Sequence, residues 1–206
     1  ENRDFERLVQ KFSLKRGREM FTRYSLWLEI DRGEEELLAQ MNPKTRYNTK
    51  LAQRKGVTVD IENTQEAFDE YWKLMEETTK RQGFYAHSKM YHQQMFETMV
   101  ESGLGNLFVA RFEGKVLVTW MVFLVNGVLY YPYGASTRDD RNVFASNMMM
   151  WSVIKWGQSK NARLFDMWGS LSDTPDEKDP WYGFHRFKTG FGARVVKFVG
   201  NFTCDY

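Results

Sequence analysis

Along this chain the apolar positions change period several times, and each change marks an element. Residues 24–30 alternate as a strand does. Residues 34–55 follow a helical period. Glu34, Glu35 and Glu36 fill the first turn, and Arg54 and Lys55 precede Gly56, the charge order a helix dipole favours. Pro43 lies inside that stretch and has no amide proton to give the helix, so two helices meeting near Asn42 are expected. A short strand is predicted at 57–61. An amphipathic helix follows at 64–81, with Phe68, Tyr71, Trp72 and Met75 at helical spacing, and a second helix at 88–102.

The centre of the chain is the most legible. Residues 106–112, 115–125 and 128–134 are rich in β-branched and aromatic side chains, and Glu113-Gly114 and Asn126-Gly127 separate them. Asn-Gly between two apolar runs is a strong hairpin signal, because both turn residues take positive φ. A three-stranded antiparallel meander is therefore expected in the middle of a sheet. A helix at 142–160 should turn Phe144, Met148, Trp151 and Ile154 inward. A strand at 163–168, an acidic loop at 170–180 and a last strand at 193–202 complete the order. This order resembles the core of GNAT acyltransferases: an α/β fold with a mixed, mostly antiparallel sheet flanked by helices. It carries no chemistry by itself, but directs attention to the strand ends after the meander. Residues 1–23, basic and weakly periodic, read as a linker or the remnant of a preceding domain, and 24–206 as the GNAT-like domain.

Composition narrows the class. Hydrophobic residues are 42% and aromatics 16% of 206 residues, which excludes a disordered chain, and a chain this long buries enough surface to fold without disulfide or metal. The apolar stretch 116–129 is interrupted by Thr119, Asn126 and Gly127, well short of the roughly 20 residues that span a bilayer. The single cysteine, Cys204, cannot form an internal disulfide, which favours a reducing, cytoplasmic setting. The net charge of +2 hides two acid-free basic segments, 42–55 and 181–204, which suit a phosphate-bearing ligand as well as they suit a solvated surface.

His87, His92 and His185 lack the spacing of a metal site, so no metal is expected. Neither a nucleophile elbow nor a phosphate-binding Gly-Lys loop is present. Where a CoA-dependent enzyme would carry a glycine-rich turn, residues 136–144 read Ser-Thr-Arg-Asp-Asp-Arg-Asn-Val-Phe. With no glycine and two carboxylates, that turn argues against acetyl-CoA, and no cofactor is expected.

Five motifs occur in order: the 42–57 segment with Arg46, TTKRQGF at 78–84, YPYGAS at 131–136, FDMWG at 165–169 and FKTGFG at 187–192. Together they resemble the Fem family of peptidoglycan cross-bridge enzymes, over nearly the whole chain from Tyr24. The resemblance implies two tandem GNAT-like domains, of which this chain looks like the second, with a first domain missing. It implies transfer of an amino acid from aminoacyl-tRNA to the stem peptide of a UDP-linked or lipid-linked muropeptide, with possible peripheral contact at a membrane-bound precursor. An acyl-CoA N-acyltransferase and a non-catalytic module binding precursor or RNA are the alternatives.

The resemblance places Lys188, beside Phe187, near the donor ester or the precursor phosphates. The plainer reading is a surface lysine at a strand start, with Gly190 and Gly192 shaping a bulge. Tyr131 and Tyr133, two apart on a strand, are expected on one face, where they bind the stem peptide, relay a proton, or simply pack. Tyr133 joins Lys188 and Phe187 as a catalytic candidate. The remaining substrate-binding candidates are Tyr131, His87 with Tyr91 one helical turn on, Arg46 with Lys50 at i, i+4, Arg81 and Asp166. Arg81 also fits a helix C-terminal charge and Asp166 a strand-end polar group. The seven tryptophans and Met148–Met150 are expected in the core.

Overall fold

The structure, a computed structural model, describes residues 3–83 and 86–204. Helix α1 (Arg3–Lys11) and strand β1 (Lys15–Arg16) precede strand β2 (Tyr24–Glu29). The helical stretch divides at its proline into α2 (Glu34–Gln40) and α3 (Pro43–Arg54), where the Asn42 side chain caps the second helix by accepting from the Thr45 amide at 2.7 Å. Strand β3 (Thr58–Ile61) leads into α4 (Gln65–Gln82) and α5 (Lys89–Glu101), and the meander is β4 (Gly105–Phe112), β5 (Lys115–Val125) and β6 (Val128–Ser136). Both hairpin turns use positive φ at two residues, 49° and 78° at Glu113-Gly114, 51° and 74° at Asn126-Gly127. After a 3₁₀ turn (Arg141–Val143) come α6 (Ala145–Ser159), β7 (Leu164–Gly169), α7 (Tyr182–Thr189), β8 (Arg194–Lys197) and β9 (Phe202–Thr203).

Seven strands form one sheet in the order β3-β4-β5-β6-β7-β2-β8, with the meander near its middle. Every neighbouring pair is antiparallel except β6 and β7, which run parallel. Helices α4 and α5 cover one face, over Phe68, Tyr71, Met75 and Phe96. Helices α3 and α6 cover the other, over Leu26, Ile30, Met149, Val153 and Phe165. Among the described residues no helix is long and apolar enough to cross a membrane.

Several expectations are corrected. The segment around Lys188 is helix α7 rather than the approach to a strand. The last strand is shorter than 193–202 and ends at Lys197; residues 202–203 pair instead with β1, joining the described part of the 1–23 segment to the C-terminal end. Helix α6 starts at Ala145, because Phe144 takes a left-handed φ of 56° ahead of it. Trp168 and Trp181 are exposed rather than core, whereas Met149 and Met150 are fully buried.

Candidate functional site

Pairing between β6 and β7 covers Val128↔Leu164, Leu129↔Phe165 and Tyr130↔Asp166 and then stops, although β6 runs on to Ser136 and β7 to Gly169. The sheet opens there. Two bulges shape the opening. Opposite β5, the register of β6 shifts between the Met121↔Tyr133 and Phe123↔Tyr130 pairs, so two residues, Tyr131 and Pro132, oppose one. That extra residue inverts the alternation. Tyr131 is buried on the α3/α6 face, stacked on Trp120 at 3.8 Å, whereas Tyr133 packs on the α4/α5 face. The expectation that the two tyrosines share a face therefore fails, and the bulge is the reason.

The second bulge is in β7, where Trp168 has φ 64° and the pairing with β2 shifts between Ser25 and Trp27. Asp166 holds it: one carboxylate oxygen accepts from the Trp168 amide at 2.8 Å and from the Ser25 hydroxyl. Asp166 is thus a buried clasp under the bulge, a role for which Ser25 carries no sequence signal.

Lys188 sits in the last turn of α7 and is 0% exposed. Its ammonium donates to the carbonyls of Met167 at 2.5 Å, Gly169 at 3.0 Å and Trp168 at 3.3 Å. The Phe184 ring centre lies 3.7 Å from Nζ and that of Tyr131 5.7 Å. The amine is thus bonded to the end of β7, with the Tyr131 ring of β6 alongside, where the two strands no longer pair with each other. Burial pushes its pKa well below the ordinary lysine value, and the Asp166 charge opposes that shift. Its partners are backbone carbonyls, all three protons being engaged. The reading of a surface lysine at a strand start, with Gly190 and Gly192 shaping a bulge, is overturned. Gly190 instead allows α7 to meet α3, since a Cβ there would lie 2.4 Å from Thr45 Oγ1. One turn earlier on α7, His185 Nδ1 lies 2.8 Å from the Ser170 hydroxyl, a second tie between α7 and the end of β7.

Beside this opening, on the same face, lies a pocket of ≈ 290 Å³ at the start of α6. Phe187, Phe144, Leu117, Ser136, Asn147, Arg81 and Arg141 line it, with Asp139 and Asp140. Arg81 reaches it from the end of α4 by donating to the Ser136 carbonyl at 2.9 Å, which makes it more than a helix-end charge. Burial, then the charges of Arg138 and Arg141, lower its pKa. The two arginines of the 136–144 turn went unread in the sequence, where its acids drew attention, so the turn is less repulsive to anions than expected.

On the α4/α5 face Tyr133 stands half-buried against His92, with ring centres 4.7 Å apart, while His87 and Tyr91 stack at 4.2 Å nearer to solvent. Burial and a hydrogen bond with Tyr91 raise the Tyr133 pKa. The structure thus brings Lys188, Phe187, Tyr131 and Arg81 to one side of the opening and Tyr133, His87 and Tyr91 to the other. Arg46, half-buried, and Lys50, exposed, lie on α3 outside the pocket lining. Phe84, which ends the 78–84 motif, lies outside the described residues. Among the described residues no acid, histidine and cysteine cluster could hold a metal.

A family model described as "Acetyltransferase (GNAT) domain" matches residues 42–181. A curated relative, the lipid II:glycine glycyltransferase of Staphylococcus haemolyticus, is 21% identical over a stretch covering 89% of this chain and 58% of the relative. The chain therefore spans little more than half the length of that relative. The crystal structure of FemX superposes with a TM-score of 0.89 at 19% identity, covering 98% of this chain and 68% of that one. L-PGS from Bacillus licheniformis shares the fold at a TM-score of 0.60 and 15% identity, covering 94% and 63%. In the turn before α6, where an acyl-CoA enzyme would hold the pyrophosphate, three amides are engaged within the turn: Asp139 N donates to Thr137 Oγ1, Val143 N to the Asp140 carbonyl and Phe144 N to the Arg141 carbonyl.

Proposed function

Since the chain belongs to the acetyltransferase (GNAT) domain family and is a Fem-like member of it, we propose that it moves an aminoacyl group from aminoacyl-tRNA to an amine on the stem peptide of a peptidoglycan precursor. The opening between β6 and β7 carries this reading. It has a buried cation on one face and a phenol on the other, so two substrates have separate approaches and one meeting point. The relatives named for glycine transfer to lipid II support an amino-acid donor and a lipid-linked cell-wall acceptor; a UDP-linked acceptor and a cytoplasmic setting are part of the proposal itself.

In this reaction the amine attacks the ester carbonyl, a C–N bond forms, the C–O bond to the ribose breaks, and the amine's proton ends on the ribose oxygen. The ester is already activated, so the protein's work is positioning and stabilising the oxyanion. While it is protonated, Lys188 supplies a positive charge at the gap; its three protons already bond the β7 carbonyls, so it acts on negative charge developing on the ester carbonyl through its field and not as a hydrogen-bond donor. Tyr133 keeps its hydroxyl protonated, its pKa raised by burial and the Tyr91 hydrogen bond, which fits it to hydrogen-bond the incoming peptide. Phe187 and Arg81 wall the donor pocket, and Arg46 and Lys50 extend positive charge along α3. His87 and Tyr91 flank the acceptor approach, Tyr131 supports Lys188, and Asp166 fixes the bulge whose carbonyls hold it.

The test is incubation with charged tRNA and either UDP-linked pentapeptide or its lipid-linked form, with mass detection of one added residue. Lys188→Ala should slow addition by roughly a hundred-fold or more. An absence of product with both acceptors rejects the reading. Saturable acetyl-CoA binding would favour a CoA-dependent acyltransferase instead.

A further inference from the structure

Near the opening, His92 is a buried group whose hydrogen bonding is incomplete. It is 0% exposed, in α5, and rings surround it: Tyr71 and Tyr91 at 5.8 Å, Trp72 at 5.5 Å, His87 at 6.4 Å and Tyr133 at 4.7 Å. Its Nδ1 lies 2.8 Å from the Tyr71 hydroxyl, while its Nε2 is buried with no partner. Burial, and then the neighbouring His87, lower its pKa to about 4, so the ring is neutral at pH 7. A neutral imidazole has one donor and one acceptor nitrogen.

The tautomer follows from Tyr71. That phenol is fully buried and its pKa is raised by burial, so it keeps its proton and must place it on an acceptor. Nδ1 is the acceptor within reach, which puts the ring proton on Nε2. The imidazole then carries a fixed N–H on the side away from Tyr71, and the Tyr133 ring stands against it at 72°, an edge-to-face contact in which N–H groups favour the π-face.

We infer that His92 is a positioning residue: with its tautomer set by Tyr71, it holds the Tyr133 ring and so fixes where the Tyr133 hydroxyl stands at the opening. The inference rests on the reading above that Tyr133 serves the acceptor side. It explains why a polar ring is spent inside an aromatic cluster, and why an inverted strand alternation is kept at Pro132: the bulge delivers Tyr133 to this contact.

Two measurements test it. First, imidazole ¹⁵N shifts at pH 7 should show His92 protonated at Nε2 and bare at Nδ1, and Tyr71→Phe should let the other tautomer appear; the opposite tautomer in the wild type overturns the inference whatever the protein catalyses. Second, in the aminoacyl-transfer assay His92→Phe, which keeps a ring and loses both nitrogens, should lower kcat roughly ten-fold with the KM for charged tRNA unchanged. Combined with Tyr133→Phe it should cost nothing beyond Tyr133→Phe alone, since both act through one hydroxyl. Full additivity, or a folded His92→Phe protein with wild-type kcat, overturns it. If His92→Phe does not fold, Tyr71→Phe takes its place, with a loss in the same direction. Wild-type activity of Tyr133→Phe would sink the use of Tyr133 under the proposed function as well, while an impaired Tyr133→Phe beside an unimpaired His92→Phe sinks only this inference.

Discussion

An ammonium taken out of water keeps its proton only as far as its new partners replace the lost hydration. At Lys188 three carbonyls and two ring faces replace it in part, and burial wins, lowering the pKa. The stability consequence has a definite sign. Between the depressed folded pKa and the unfolded value of about 10.4, the unfolded chain binds more protons than the folded one. Wild-type stability therefore rises with pH across that window and is lowest below the folded pKa. Lys188→Met lacks this dependence. The urea midpoint of wild type minus that of Lys188→Met should climb as the pH rises from the depressed folded pKa toward 10, and parallel curves would show that the lysine titrates normally. The clasp beneath it makes a companion prediction. Asp166→Ala leaves the Trp168 amide and the Ser25 hydroxyl without their acceptor and should cost about 2–3 kcal/mol in urea denaturation. Asp166→Asn keeps an acceptor oxygen and should cost less, but it removes the charge that opposes the Lys188 shift, so the lysine should titrate lower still.

At the scale of elements, what the sequence made legible depended on where the signal came from. The meander, the proline break and the paired helices α4 and α5 were legible because periodicity and turn chemistry act locally. Helix α7 was not. It is eight residues long, holds Gly183 and three aromatic rings, has no side-chain cap, and forms because Lys188 and His185 are drawn to the end of β7. The two bulges were equally illegible, since a one-residue register shift leaves the apolar pattern intact while reversing which face Tyr133 occupies. Lys188 could be picked out as a candidate from a resemblance, yet its burial and its carbonyl partners are tertiary facts. The β6 bulge yields a test of its own. A Cβ on Gly134 would meet Tyr131 Oη at 2.1 Å and Trp120 at 2.7 Å. Gly134→Ala should therefore displace the Tyr131–Trp120 stack and cost about 1–3 kcal/mol in thermal or urea melts. Gly183→Ala, with open space around the new methyl, should be neutral or stabilise α7 by up to about 0.5 kcal/mol. A Gly134→Ala protein as stable as wild type would mean that the bulge tolerates a side chain and does not set the position of Tyr131.

For the whole molecule, on the proposed reading of the site, the sheet itself separates the two substrates. On the α3/α6 side of the opening the chemistry is charged and mainly cationic: the pocket holds Arg141 with Asp139 and Asp140 and receives Arg81 from the end of α4, and α3 adds Lys44, Lys50 and Arg54, whose following residue Lys55 donates to the Asn142 carbonyl beside the pocket at 3.0 Å. On the α4/α5 side it is aromatic and nearly neutral: His87, Tyr91 and Tyr133. A polyanionic donor belongs to the first side and a peptide acceptor to the second. Under the proposed function this division predicts how variants sort kinetically. Arg141→Ala and Lys50→Ala should raise the KM for charged tRNA while leaving the acceptor KM alone, and each should flatten the dependence of log KM on log salt, by up to about one unit per lost phosphate contact. Tyr91→Ala should do the reverse, raising the acceptor KM with the tRNA salt dependence unchanged. Because the two sets lie on opposite faces and share no contact among the described residues, a variant combining Arg141→Ala with Tyr91→Ala should show both effects at full size, additive in free energy. A Tyr91 change that alters the salt dependence for tRNA, or an arginine change that acts on the peptide, would mean that both substrates enter from one face and that the sheet does not divide them.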